Sequence, residues 1–268
     1  MKKTALATAV SLALISASAQ AAPLNPTVHD RLALRFGPFF PSIETSIKVG
    51  SEQHNYEDFL DDSETTGAIK GIWRISKHFR LNFGYWAVNR ESSDSLDHNI
   101  NIGPITVPAG TAIGATFDSS MATAALGWSF VHTDTTEFGV DLGVAALGLK
   151  SELGATVPGI GNASFTAFDE TYPLPVIGVY LTHALSSKWS LGGRFGGIGL
   201  DIGDDFEGTV IDAMGAVEFR PWQNVGFGLA YIYNNADAKL KNVDKGIDVE
   251  WNYQGPFAYL TLGFGSVN

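Results

Sequence analysis

Ala124–Leu147 reads AALGWSFVHTDTTEFGVDLGVAAL. Before the polar turn, Ala124, Leu126, Trp128 and Phe130 alternate with Ala125, Gly127, Ser129 and Val131. After it, Phe138, Val140, Leu142 and Val144 alternate with Gly139, Asp141, Gly143 and Ala145. A strict period of two predicts two strands of a hairpin, each with one bulky apolar face. A half-solvated strand sets polar side chains opposite its apolar ones. The opposite face here is Gly, Ala, Ser and one Asp, which suits neither a packed core nor an ordinary wet surface.

The same pattern recurs along the chain. Ile69–Val88 turns at Ser76–Phe79, Ile177–Gly197 at Leu185–Lys188, and Ala213–Tyr233 at Arg220–Asn224. Four short turns join eight strands. One more at each end, Arg31–Phe40 and Gly255–Phe264, makes ten, with eight as the alternative. Between the hairpins lie longer segments with turn chemistry: Ser51–Thr66, Glu91–Asp118, Ser151–Asp169, Asp201–Gly208 and Asn234–Glu250. Short turns at one end and long loops at the other is the asymmetry of a transmembrane barrel. Acidic residues gather in the long segments, six of them between Glu52 and Glu64 without one Lys or Arg.

The bulky face is therefore expected to meet lipid, with Leu32, Leu34, Phe36, Leu81, Phe83, Tyr85, Val225, Phe227, Leu229, Tyr231 and Tyr233 on the outer wall. Trp73, Trp128, Phe130, Phe138, Trp189 and Phe219 fall near the short turns, where an interfacial aromatic girdle belongs. Closure satisfies every backbone group, as hydrocarbon demands. A soluble barrel or sandwich with the bulky face inside would need an outer face rich in Lys, Glu and Thr. The strands offer Gly, Ala and Ser instead, and Lys plus Arg total only 17. The fold expected is all-β: a closed antiparallel transmembrane β-barrel with short periplasmic turns and long extracellular loops.

The first residues support export. Lys2 and Lys3, the apolar Ala5–Ile15 and Ala19-Gln20-Ala21 form a secretory signal peptide, with cleavage expected after Ala21. Residues 1–21 are thus read as the signal and residues 22–268 as one barrel domain. The chain has no cysteine, which removes disulfides, thiolate metal sites and a Cys nucleophile. Net charge is −11; Lys2 and Lys3 contribute +2 of that, leaving −13 beyond the signal. Such a polyanion repels phosphate, so no nucleic-acid partner is expected.

With its signal peptide, hairpin series, girdle aromatics and closing GPFAYLTLGF (Gly255–Phe264), the sequence resembles the small barrels of Gram-negative outer membranes, the group containing the OmpA membrane domain, OmpX and OmpW. It departs from that group by continuing to Gly265-Ser266-Val267-Asn268. The resemblance implies an outer-membrane location, contact with membrane lipid and lipopolysaccharide, and recognition by the barrel-insertion machinery. A monomer is expected. No activity follows from it.

Several groups could carry chemistry. Asp97-His98 and Asp61-Asp62 lie near the expected outer rim. Barrel proteases resembling the omptins separate the members of each such pair by one residue, so that both face one cleft. Adjacent strand residues point to opposite faces, so solvated loop residues are the better reading here. His183 falls near a periplasmic turn without a Ser-acid partner. Asp201–Gly208 lacks the spacing of a calcium loop, Asn162-Ala163-Ser164 carries no weight in a bacterial-type exported protein, and Gly192–Gly199 lies within a strand. No catalytic, cofactor or metal residues are assigned.

By alternation Arg35, Lys70, Arg74, Asp141, Arg194, Asp212 and Glu218 point inward. These are read as structural charges that pair and fill the lumen, because an unpaired buried charge is costly. The expected role is non-enzymatic, structural or surface-interacting. The alternatives are a small-solute pore through the same charges and an outer-leaflet hydrolase acting on lipid A or peptide.

Overall fold

The computed structural model describes residues 24–49, 52–55, 65–95, 100–102, 105–107, 112–157, 161–202, 206–240 and 247–267. A one-turn helix α1 (Pro26–His29) leads into β1 (Asp30–Phe39), β2 (Ser42–Val49), β3 (Glu52–Asn55), β4 (Thr66–Arg74) and β5 (Phe79–Ser95). Next come β6 (Ile100–Ile102), β7 (Ile105–Val107), β8 (Ala112–His132), β9 (Thr136–Val157) and β10 (Gly161–Ala184). The chain finishes with β11 (Trp189–Ile202), β12 (Phe206–Phe219), β13 (Val225–Leu240) and β14 (Ile247–Ser266).

Ten strands form the barrel, in the order β1-β4-β5-β8-β9-β10-β11-β12-β13-β14, and β1 pairs with β14 to close it. Each neighbouring pair is antiparallel, as consecutive hairpins require. The remaining short strands belong to the outer connections, with β2 and β3 continuing the wall beyond the end of β1. The count of ten rather than eight follows from the pairing of both terminal strands.

Three of the four short turns share one local chemistry. Ser76 Oγ accepts from the Phe79 N–H at 3.2 Å, Ser186 Oγ from the Trp189 N–H at 3.0 Å, and Thr133 Oγ1 from the Thr136 N–H at 3.0 Å. A hydroxyl that mimics a backbone acceptor stabilises a tight reversal and fixes the register of the strands it joins. At the other end the sequence-based boundaries move. The strands β8, β9 and β10 run for 21, 22 and 24 residues, so much of Glu91–Asp118 and Ser151–Asp169 is wall instead of loop. A bilayer needs only about 9–11 residues per strand. Beyond it the pattern of bulky outward and small inward residues lapses, and by that pattern a strand becomes indistinguishable from a loop.

The bulky face points out. Leu142 is 64% exposed, Phe195 60% and Leu229 58%, which a water-soluble surface would not tolerate as a continuous belt. The girdle rings pack against one another near the short turns: Trp128 edge-on to Phe130 at 5.9 Å, Phe130 edge-on to Phe138 at 4.8 Å, and Trp189 tilted against Phe219 at 4.7 Å between centroids. Inside, the expected small-residue face holds only in part. The outer half of the lumen is packed with Phe39, Trp86, Met121, Leu147, Val176, Ile232, Tyr253 and Phe257. Lower down, small residues make room for rings. A Cβ on Gly139 would fall 2.5 Å from the Tyr180 hydroxyl, and one on Gly228 2.1 Å from the Tyr259 ring.

Candidate functional site

Three storeys of side chains fill the lumen, counted from the periplasmic end. The lowest is a charged floor. Glu137 on β9 accepts from Arg74 Nη2 at 2.6 Å, Arg74 Nε at 3.1 Å, Arg80 Nη1 at 3.0 Å and Ser129 Oγ at 2.7 Å. The Arg80 guanidinium lies 3.3 Å from the Tyr180 ring centroid, and the Tyr180 hydroxyl is 2.8 Å from Ser129 Oγ. Across the floor, Glu218 on β12 accepts from Arg35 Nε at 2.8 Å and Thr27 Oγ1 at 3.0 Å. Arg220 donates to Asp30 Oδ2 at 2.5 Å.

The N-terminal turn is bolted into this floor from below. Pro26 occupies the first turn of α1 and the Asn25 side chain caps it, accepting from the Thr27 N–H at 3.0 Å. Asn25 Nδ2 also donates to the carbonyls of Ser186 at 2.8 Å and Trp189 at 3.1 Å, tying the segment to the turn before β11. Arg74 donates to the carbonyls of Asp30 at 2.7 Å and Thr27 at 3.1 Å. Val28 is completely buried, as a stopper in the mouth would be.

The middle storey centres on Arg194 of β11. It makes a two-pronged pair with Asp141, Nη2 to Oδ1 at 2.7 Å and Nε to Oδ2 at 2.9 Å, and its Nη1 bonds Asp212 on β12. Asn82 Nδ2 adds a bond to Asp141 at 3.0 Å. Lys70 on β4 faces the same space but has neither a hydrogen bond nor an ion pair among the described residues. The uppermost storey is the apolar cluster, held by edge contacts of Phe39 with Trp86 and Tyr253, each at 6.0 Å, and by Trp86 Nε1 donating to the Tyr253 hydroxyl at 3.2 Å.

The seven charges read from alternation fall into these layers unevenly. Arg35 meets Glu218, and Arg194 meets both Asp141 and Asp212. Arg74 instead meets Glu137, a residue that the sequence reading missed together with Asp30, Arg80 and Arg220. Glu137 was legible, since it keeps the parity of Gly139 and Asp141. Arg220 and Asp30 were not, because a turn and a strand end have no parity to read. His183 lies at the periplasmic end, its Nδ1 2.8 Å from Thr136 Oγ1. Asp97, His98, Asp61 and Asp62 lie outside the described residues, as do residues 203–205 of the acidic run.

No family model matches the sequence, and no curated protein does either. Solved structures do match. The outer membrane protease OmpT from Escherichia coli aligns over 87% of this chain and 96% of its own, with a TM-score of 0.54 and 12% identity. OprG from Pseudomonas aeruginosa covers 89% and 97% at a TM-score of 0.34 and 12% identity. Ail, the attachment invasion locus protein of Yersinia pestis, covers 86% and 99% at 0.30 and 10%. At 12% identity the match to OmpT speaks to architecture alone, and with the ten-stranded closure, the outward apolar belt and the girdle it leads to one conclusion: the chain has the fold of the small outer-membrane β-barrels.

Proposed function

We propose that this protein is a closed, non-enzymatic barrel of the outer membrane, acting as a monomeric structural and surface-interaction element in contact with lipopolysaccharide. The observation that supports it is the floor. Two clusters of buried ion pairs, centred on Glu137 and Glu218, bridge five of the ten barrel strands and are stoppered by α1. An eight-stranded barrel is just filled by its side chains; here long arginines take up the extra width of ten. The basic and acidic groups are interleaved, which neutralises the layer instead of forming a ring of one sign to select ions.

Planar-bilayer recording tests this reading. The full chain should give no conductance, or only small flickering events. Steady, porin-sized steps would replace it with the solute-pore reading. An outer-leaflet hydrolase is the competing class, since OmpT shares the barrel. Turnover of lipid A or peptide by purified protein, abolished by Asp97→Ala or His98→Ala, would decide for that class.

A further inference from the structure

A cavity of about 150 Å³ runs through the lumen from the charged floor at Thr27, Arg80 and Glu218 to the aromatic storey at Trp86 and Phe257. We propose that it is a binding pocket for a small organic monoanion with a compact apolar body, aromatic carboxylates being the class that fits. This goes beyond the closed-barrel reading, which needs no ligand.

Size sets the body of the ligand. An apolar cavity of about 150 Å³ takes a benzene-sized guest. Trp86, Met121, Ile232 and Phe257 line the upper part, so a flat or branched hydrocarbon group would be in contact with apolar atoms there. Charge sets the head. From the floor to the middle storey the described lumen holds six cations against five carboxylates, the cations being Lys70 and five arginines. Each of those arginines reaches a carboxylate, so the surplus positive charge is Lys70, the group with no ion pair. A chain of strongly negative net charge thus keeps one more cation than carboxylate inside this part of its wall, with Asp212, already bonded to Arg194, as the carboxylate that acts on Lys70 from a distance.

Hydrogen-bonding capacity is left over at the same place. Asn234, only 7% exposed, lines the cavity and has no side-chain hydrogen bond among the described residues. Native interiors rarely leave such groups unmet. A carboxylate seated between Lys70 and Asn234 would satisfy the ammonium and an amide together. The floor is stoppered and the aromatic storey closes the lumen above the cavity, so entry from the outer side requires the rings of Phe39, Trp86 and Tyr253 to part, and the ligand is held instead of passed to the periplasm.

The test uses the full mature chain refolded in uncharged detergent, titrated calorimetrically with benzoate, toluene and benzylamine against empty micelles. Benzoate should bind saturably, toluene at least about tenfold more weakly, and benzylamine not at all. Lys70→Met, which keeps length and apolar stem, should weaken benzoate by roughly ten- to a hundredfold and leave toluene unchanged or tighter. Its folding is checked by heat-modifiable migration on gels, and the charge series on the wild type decides even if that variant fails to fold. Absence of benzoate binding would mean a space filled by water only. Equal affinity for benzoate and toluene, or undiminished binding by folded Lys70→Met, would equally overturn the proposal.

Discussion

Glu137 accepts four hydrogen bonds, three of them from two arginines, in a position only 1% exposed. Removing its charge would leave Arg74 and Arg80 facing each other in the floor. An uncompensated buried charge costs about 3–5 kcal/mol, so Glu137→Gln should lower barrel stability by that order. Asp212→Asn is the control, because Arg194 keeps its two-pronged pair with Asp141. Urea titration of the folded barrel in vesicles should therefore show a large drop in midpoint for the first and a smaller one for the second. Equal drops would mean that the floor is not the stability centre that its geometry indicates. The two sites also differ in how readily sequence gives them away. Asp212 and Asp141 stand out as charges among Gly and Ala, whereas Glu137 sits one residue from a turn, where a charge is unremarkable.

At the scale of elements, the decisive piece is the shortest. α1 is a single turn, too short to be stable alone, and it is ordered by the barrel: Thr27 on Glu218, Asn25 on the carbonyls before β11, Val28 in the mouth. Deleting Leu24–His29 should leave the ten-stranded closure intact, since β1 keeps its pairing with β4 and β14. It should also unseat Arg74 and Glu218 and raise single-channel conductance above that of the full chain. Unchanged conductance would show that the ion pairs seal the floor without the stopper. Alternation revealed the barrel strands because one face meets lipid and the other does not. It failed where that contrast disappears. Phe39 and Phe40 are consecutive and bulky, and Trp86 follows Tyr85, so parity there does not say which ring enters the lumen; the register with Phe257 and the burial of Phe39 and Trp86 do. The outer halves of the long strands were hard to read for another reason: in β9 the apolar parity changes from Phe138, Val140, Leu142 and Val144 to Leu147, Leu149 and Leu153, so the stripe reads as broken.

The whole molecule is an inverted arrangement: leucines outside, salt bridges inside, with bilayer hydrocarbon as the solvent that makes this stable. That inversion makes a prediction which a soluble barrel of the same strand order would not. Leu142 points outward from the middle of the wall, between the girdle at Phe138 and the upper half of β9, and is among the most exposed apolar side chains. In water, exchanging an exposed leucine for arginine is nearly neutral. In a bilayer an arginine on the lipid face near the midplane costs about 2–4 kcal/mol, falling to roughly 0–1 near the interfaces. Leu142→Arg should therefore destabilise the barrel in vesicles by the larger amount, and Phe130→Arg, beside the short turn, by much less, apart from the ring contacts it gives up with Trp128 and Phe138. The two are compared by urea midpoints in the same lipid. A neutral Leu142→Arg would place that face in water and overturn the reading of the bulky side on which the fold assignment rests.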